Sequence, residues 1–272
     1  MQKNIYLGID IGASNTKIIA LDEEQQVFHR LLLTHMEQEA SIADRIAKHI
    51  PMEQNTVCSI ALTGVGAYQM PETLFGVPLT RVHEFQATGL GGVRLSGLSN
   101  ALIASMGTGT SFIHAKDGEY RHIIGSGVGG GTLLGLSSKL SATQEMAALE
   151  ALARKGDLSR VDLTIGEIAP DGHLGLAPDL TASNFGSVKS NVTQADLTLG
   201  TYNLVFQAIG TMSVLAAKTV GIQDVVVIGT LAESAYARDM FARFSEAYGI
   251  RYAIPEHAAF ATAYGALLSI TA

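Results

Sequence analysis

A pattern of strand, glycine turn, strand, short turn and strand occurs twice in this chain, about a hundred residues apart. The first copy covers residues 4–33 and includes NIYLGID and TKIIALD. The second starts at residue 101 with ALIASMGTGTSFIHAKDGEYRHIIG. Apolar runs separated by glycine or Asp-Gly turns are typical of antiparallel strands. The copies share this pattern and little sequence identity. The repeat therefore predicts two domains built on one plan.

Segments of helical length follow the second copy. Helices are predicted after it at about residues 132–155, 199–220, 235–248 and 258–270, with the strands DVVVIGT and IRYAIPE between the last three, and one more is predicted before it at 40–50. The segment ATGLGGVRLSGL at 87–98 is predicted as a helix or an irregular connection. Strands alternating with helices of this length indicate mostly parallel sheets covered by helices. The predicted fold class is α/β, with one domain at residues 1–99, another at 100–272 and a cleft between them.

Composition excludes several classes of protein. The net charge is −7 and no basic stripe is present, so a nucleic-acid partner is not expected. Cys58 is the sole cysteine, which rules out an intrachain disulfide or a cysteine metal cluster and favours a reducing compartment. No apolar run reaches the ~20 residues that span a bilayer, and the first residues lack a signal-peptide pattern. We expect a cytoplasmic protein without a membrane partner.

The first glycine turn, DIGASNTK, carries groups that suit phosphate and Mg²⁺. Asp10 ends an apolar strand and can hold Mg²⁺ directly or through water. Lys17 supplies a positive charge, and the turn presents backbone N–H groups to phosphate oxygens. An ordinary tight hairpin with a capping aspartate would use the same residues. This turn alone leaves both interpretations open.

Two further glycine-rich segments lie in the second half. MGTGTS at 106–111 combines close backbone approach with three hydroxyls, and GSGVGGGT at 125–132 opens a helix whose N-terminus suits an anion. Neither matches the G-x-x-x-x-G-K-[ST] phosphate loop. Together the three segments resemble those of the actin/Hsp70/sugar-kinase superfamily, in which two ribonuclease-H-like, actin-like ATPase domains clamp ATP between paired hairpins.

Within that superfamily, eight segments in order resemble the type II pantothenate kinases. They are GIDIGASNTK, LTGVGAYQ, HEF followed by Ala87, MGTGTS, GSGVGGGTLLGL, LTASNFG, VVVIGT and EHAAFATAYGALL. The short glycine segments are common to the superfamily, whereas E-F-x-A and T-A-S-N-F-G are specific to the family. The resemblance implies a homodimeric, ATP- and Mg²⁺-dependent kinase that converts pantothenate to 4′-phosphopantothenate, the first step of coenzyme A biosynthesis.

The resemblance also implies roles for individual residues. Glu84 corresponds to the general base that takes the proton of the substrate alcohol, and Asp10 to the Mg²⁺ site, through water. The implied ATP and phosphate contacts are Asp10, Gly12, Ala13, Ser14, Asn15, Lys17, Thr108, Gly130, Gly131, Thr132, Leu133, Leu134 and Thr230. The implied substrate contacts are Glu84, Thr108, Ser111 and one of His122 and Arg121.

One departure from the family pattern concerns the substrate. The family has an arginine shortly before the triple-glycine segment, and by spacing that position holds His122, with Arg121 beside it. Side chains alternate between the faces of a strand, so Arg121 would face the site only if a bulge intervened. We favour His122 as the residue at the site.

Two other functions are compatible with the glycine turns. A superfamily kinase could act on a sugar or an amino sugar, although those enzymes usually place an aspartate base in a different sequence setting. A non-catalytic ATP-binding regulator is the second alternative. Loss of Glu84 or Asp10 would be expected in such a protein, and both residues are present.

Overall fold

The computed structural model describes residues 3–34, 41–51, 53, 55–141, 143–173, 175 and 177–271. Its strands are β1 (Lys3–Ile11), β2 (Asn15–Leu21), β3 (Val27–Thr34), β4 (Asn55–Thr63), β5 (Thr73–Leu74), β6 (Val77–Arg81), β7 (Asn100–Met106), β8 (Thr110–Lys116), β9 (Glu119–Ser126), β10 (Leu163–Thr164), β11 (Thr181–Ser183), β12 (Asp224–Ile228) and β13 (Arg251–Ala253). Its helices are α1 (Ile42–His49), α2 (Glu84–Ser96), α3 (Gly130–Leu140), α4 (Met146–Ala153), α5 (Ile165–Ile168), α6 (Gln194–Thr219), α7 (Ala235–Tyr248) and α8 (Ala261–Thr271).

Two sheets with the same strand order confirm the predicted repeat. The first has the order β3-β2-β1-β4-β6-β5, and the second has the order β13-β12-β7-β8-β9. In each sheet an antiparallel three-strand unit comes first in the chain, a later strand pairs in parallel with the first strand of that unit, and a second later strand pairs in parallel with that one. The first sheet carries one more strand, β5, antiparallel at its edge. The α/β class and the two-domain architecture are therefore as predicted. Among the described helices, none is long and apolar enough to cross a membrane.

The predicted helices are found with two differences. The segment at 132–155 forms two helices, α3 and α4, because Ser141 leaves the helical conformation and its hydroxyl bonds that of Thr198 on α6. The segment predicted as a helix or an irregular connection after β6 is the regular helix α2. The first residue of the predicted helix at 40–50 lies outside the described part of the chain.

The helices α2 and α8 form a layer between the two sheets. Apolar residues of α8, including Ala263 and Leu267, pack on the first sheet. Phe85 and Val93 of α2 pack on the second sheet. The terminal helix thus covers the sheet built from the start of the chain. The last strand of the first sheet ends at residue 81, and the first strand of the second sheet begins at residue 100. The domain boundary at 99/100 stays a prediction, because α8 comes from the second half of the chain and packs on the first sheet.

Glycines bring α2 and α8 into backbone contact. A Cβ at Gly91 of α2 would lie 1.8 Å from the carbonyl oxygen of Ala261, and a Cβ at Gly265 of α8 would lie 2.0 Å from that of Ala87. On the other side of α8, a Cβ at Gly8 would lie 2.1 Å from the Ala263 carbonyl. Any side chain at these positions would push backbone against backbone. The glycines therefore set the spacing of the layer that joins the sheets.

Candidate active site

A cleft of about 400 Å³ lies between the sheets, and the two glycine turns face each other across it. The Ser14 hydroxyl of the first turn lies 2.8 Å from the Thr108 hydroxyl of the second. Thirteen of the residues singled out from the sequence line this cleft: Asp10, Gly12, Ala13, Ser14, Asn15, Lys17, Glu84, Thr108, Ser111, Gly130, Gly131, Leu134 and Thr230. Residues from both halves of the chain thus meet in one cavity.

Asp10 and Lys17 form an ion pair at the floor of the cleft. They are directly paired on the antiparallel strands β1 and β2, and Lys17 Nζ donates to Asp10 Oδ2 at 3.1 Å. Both side chains are nearly buried. Gly64, which follows β4, lets the carboxylate sit against the backbone, because a Cβ there would lie 2.6 Å from Asp10 Oδ1. The pair holds one negative and one positive charge in fixed positions beside the turn.

Glu84 enters the cleft from the first turn of α2. His83 caps this helix, and its Nδ1 accepts the N–H of Phe85 at 3.3 Å. Burial raises the pKa of the Glu84 carboxyl, and the nearby negative charge of Asp10 raises it further, while Lys17 and His83 oppose the shift. A carboxyl with a raised pKa in a cleft is suited to accept and release a proton near neutral pH.

The triple-glycine segment packs directly against the second turn. Gly130 and Gly131 donate their N–H groups to the carbonyls of Gly107 and Thr108 at 2.8 and 2.9 Å. A Cβ at Gly129 would lie 2.6 Å from the Thr108 carbonyl oxygen. These glycines are therefore needed for close packing of two loops. Their amides are already bonded, which differs from the free helix N-terminus expected from the sequence.

Thr132 and Leu133 do not line the cleft, although both were singled out as nucleotide contacts. The Thr132 hydroxyl donates to the Gly127 carbonyl at 2.9 Å and accepts the Gly129 N–H at 3.2 Å, which closes the start of α3. Leu133 is fully buried in the core under the second sheet. Successive residues of a helix point in different directions, so only part of a continuous segment can face one cavity.

A β-bulge decides the orientation of His122 and Arg121. The register between β8 and β9 shifts so that His122 pairs with Ile113 and Arg121 with His114. Ile113 faces α2, and the His122 ring stacks on that of Phe85 with centroids 4.4 Å apart. Arg121 lies on the opposite face, where its charge adds to burial in lowering the pKa of His114.

His122 therefore adjoins the cleft without lining it. Its Nε2 would be 3.6 Å from a Cβ at Gly125, and Gly125 lines the cleft beside Ser111. The aromatic stack places the imidazole next to the residue that follows Glu84 in the sequence. The His122 ring lies on the face of β9 that packs against α2, and its role at the substrate stays a prediction.

Several cleft residues were not singled out from the sequence. They are Val65, Ser105, Gly107, Gly109, Thr110, Gly125, Ser126, Met146, Gly229, Leu231, Ala259 and Thr262. Most of them belong to segments that had been identified from the sequence, so the segment was predicted to lie at the site even though the individual residue was not. Met146 at the start of α4 had no such signal, because it comes from a region read only as helix.

The family-specific LTASNFG segment does not line the cleft. It is held by Asp162, a fully buried carboxylate that accepts the Phe185 N–H at 2.8 Å and the Asn203 side-chain amide at 2.7 Å. A buried carboxylate is stable only when such donors surround it. The segment is thus anchored to α6 as part of the structure of the second domain.

The acidic residues of the cleft could hold Mg²⁺ only together with phosphate oxygens of the substrate. Among the described residues, no group of three or more His, Cys, Asp or Glu side chains could hold a metal ion. Mg²⁺ in phosphoryl-transfer sites usually keeps several waters and takes one or two protein carboxylates together with substrate phosphates. Asp10, fixed by Lys17 beside the first turn, meets that requirement.

Comparisons with known proteins agree on a family and on a fold. The family model described as Fumble matches residues 98–269. A type II pantothenate kinase of Bacillus thuringiensis subsp. konkukian is 29% identical over 251 residues, covering 88% of each chain. A type II pantothenate kinase of Staphylococcus haemolyticus is 31% identical over 272 residues, covering 96% of this chain and 98% of the relative.

Solved structures show the same fold at low identity. The activator of 2-hydroxyisocaproyl-CoA dehydratase from Clostridium difficile, with bound ADPNP, has a TM-score of 0.68 at 15% identity and covers 97% of this chain and 93% of its own. A ROK family glucokinase from Streptomyces griseus, in complex with glucose and AMPPNP, has a TM-score of 0.59 at 14% identity, with 97% and 98% covered. Both likenesses support the two-domain, actin-like architecture.

Proposed function

This chain belongs to the type II pantothenate kinase family, and we propose that its cleft performs phosphoryl transfer with Glu84 as the base. It is a kinase that phosphorylates pantothenate to 4′-phosphopantothenate in coenzyme A biosynthesis, with ATP as phosphoryl donor. The observation that carries the assignment of the site is the meeting of Glu84, Asp10 and Lys17 in one cleft between two glycine turns. The rest of the proposal concerns what each of these residues does.

Glu84 is proposed to take the proton of the primary alcohol of pantothenate as the oxygen attacks the terminal phosphorus of ATP. A carboxylate within hydrogen-bond reach contributes ~10²- to 10⁴-fold to such a step. Lys17 stabilises the negative charge on the transferred group from a fixed position, and Ser14 and Thr108 are placed to bond phosphate oxygens. Asp10 would hold Mg²⁺ through water, and the ion would neutralise negative charge on the phosphates.

The nucleotide is proposed to bind at the end of the cleft that lies beside the second glycine turn. Gly130, Gly131 and Leu134 of α3 and Thr230 after β12 line that end. Thr132 and Leu133 are proposed to support this wall from behind, through the helix cap and the core. ATP bound there directs its terminal phosphate toward the two facing turns, which is where Glu84 enters.

The acceptor side is proposed to lie between Glu84, Thr108 and Ser111, with His122 at its edge. Thr108 belongs to both subsites because its turn faces phosphate and acceptor alike. His122 is supported over Arg121 by its stack on Phe85 and by the placement of Arg121 on the opposite face of β9. Histidine is a weaker partner for a carboxylate than arginine, since it lacks the permanent charge and the forked donors.

The homodimer and the cytoplasmic location implied by the family are also proposals. Tyr202 of α6 is fully buried in the core of the second domain, so this part of the helix cannot contribute to a dimer interface. Leu215 near the other end is 60% exposed and supplies an apolar contact point. Sedimentation of the purified chain tests the dimer independently of its activity.

The decisive experiment measures ATP consumption with Mg²⁺ against pantothenate, pantetheine and a panel of hexoses. We expect turnover with pantothenate and identification of 4′-phosphopantothenate by mass spectrometry. Turnover restricted to a hexose would assign the chain to sugar phosphorylation. ATP binding without turnover of any acceptor would indicate the regulatory alternative.

A further inference from the structure

Thr63 carries a buried hydroxyl whose role is unexplained by the fold. Its side chain is 0% exposed, and its Oγ1 has no hydrogen-bond partner among the described residues. Burying a hydroxyl without a partner is unfavourable, and valine has almost the same shape without that penalty. Native structures keep few such groups, so each one calls for an explanation.

The position of Thr63 is set by strand register. It ends β4 and pairs directly with Asp10 on the neighbouring parallel strand β1. Residues paired in this way share a face of the sheet at a strand spacing of ~4.8 Å. This face is the one that α8 covers, since Ala61, two residues earlier, packs there. The hydroxyl therefore lies on the same side of the sheet as the Asp10 carboxylate.

Glu84 approaches from the other side of β4. In the first sheet β4 lies between β1 and β6, and β6 leads directly into α2. Val82, just past β6, still donates its N–H to the Leu62 carbonyl at 2.8 Å, so the chain stays beside β4 until it reaches the helix. Thr63 thus occupies the position between the strand that carries Asp10 and the segment that delivers Glu84.

The hydrogen-bonding needs of these three groups are complementary. A threonine hydroxyl has one proton to donate, and an ionised carboxylate can only accept. The Asp10 carboxylate accepts from Lys17 at Oδ2, and its Oδ1 lies against the backbone at Gly64. The Glu84 carboxylate receives no hydrogen bond from any residue in the described ranges, so it is the acceptor without a donor.

We propose that Thr63 is a positioning residue for Glu84, donating its hydroxyl proton to one carboxylate oxygen so that the other oxygen faces the acceptor alcohol. This inference rests on the proposed function, since it assumes that Glu84 is the base. Thr63 touches no substrate in this scheme. It restricts the carboxylate to the orientation in which proton transfer occurs, and its effect should fall on kcat and leave substrate affinity unchanged.

The test compares Thr63→Val with Thr63→Ser in the full chain. We expect Thr63→Val to lower kcat about 10- to 100-fold, the range for loss of a hydrogen bond to a charged group, with both KM values within about threefold. Its melting temperature should equal or exceed that of the wild type, because an unpaired polar group is removed. Thr63→Ser should keep kcat within about threefold, since it retains the hydroxyl.

Thr201 provides a matched control. It is equally buried, but its hydroxyl donates to the Leu197 carbonyl at 2.9 Å, within α6 and away from the cleft. Thr201→Val should leave kcat unchanged. A Thr63→Val enzyme with more than a third of wild-type kcat would overturn the proposal, as would a fall in kcat that serine does not rescue or that accompanies a loss of melting temperature. A wild-type chain inactive on pantothenate would instead refute the proposed function before any variant is compared.

Discussion

The contact between α2 and α8 allows a quantitative prediction of stability. We consider Gly91→Ala, which adds one methyl group where the backbones of the two helices meet. The new Cβ would lie 1.8 Å from the Ala261 carbonyl oxygen and 2.6 Å from its carbonyl carbon. Both atoms belong to backbone, so no side-chain rotation can relieve the clash. The helices must separate by more than 1 Å to reach an ordinary contact.

Two opposing terms determine the size of the effect. Overpacking of this kind costs about 1–3 kcal/mol, and the upper value applies because the clash is between backbones. Alanine gains about 1 kcal/mol over glycine inside a helix. The net destabilisation is therefore about 2 kcal/mol. For a chain of this size, about 2–4 °C of melting temperature corresponds to each kcal/mol, which gives a fall of about 4–8 °C.

Gly135→Ala is the matched control. This glycine lies within α3, and a Cβ there would meet nothing within 4 Å. The substitution should therefore show the helix-propensity term alone and raise the melting temperature by about 2–4 °C. Differential scanning calorimetry and urea unfolding measure both variants. If Gly91→Ala melts within about 1 °C of the wild type, the helices do not hold the spacing inferred here.

Three further predictions concern the cleft. Glu84→Gln should lower kcat ~10²- to 10⁴-fold with little change in ATP affinity, as measured by steady-state kinetics and ATP titration. A variant that keeps more than about a third of wild-type kcat would exclude Glu84 as the base. Because burial, and then the charge of Asp10, raises the pKa of Glu84 in the free enzyme, kcat/KM should fall with decreasing pH through a midpoint above the ordinary pKa of a glutamate, and a midpoint at or below it contradicts the assignment. If His122 contacts pantothenate, His122→Ala should raise KM for pantothenate and His122→Arg should keep the contact; an inactive Arg121→Ala beside a normal His122→Ala would move the contact to Arg121.

Most of the cleft could be predicted from the sequence because it is built from short local patterns. A glycine turn that follows an apolar strand specifies both the turn and the end of the strand, so the positions of Asp10, Ser14 and Thr108 in the fold follow from neighbouring residues. Their contacts with ATP and substrate were implied by the family resemblance. The repeat then indicated that the two turns would face each other. These inferences needed no knowledge of distant contacts, and the facing hydroxyls of Ser14 and Thr108 agree with them.

The features that could not be predicted depend on packing between distant segments. The bulge in β9 beside His122 leaves no mark in a pattern of apolar and polar residues, since it arises from the fit of one strand against another. Leu133 has the same apolar character as Leu134, yet only Leu134 faces the cleft. The amides of Gly130 and Gly131 looked free for an anion, and only their distance to the second turn shows that they are bonded.

The crossing of α8 onto the first sheet has a consequence during synthesis of the chain. The strands of that sheet are complete at Arg81, but the helix that covers one of its faces begins at Ala261, about 180 residues later. At ~5–20 residues per second, the apolar face around Ile19 and Leu21 waits roughly 10–35 s for its cover. We expect the nascent chain to expose this face to chaperones over that interval, and the first domain to reach its native stability only after the last helix has left the ribosome.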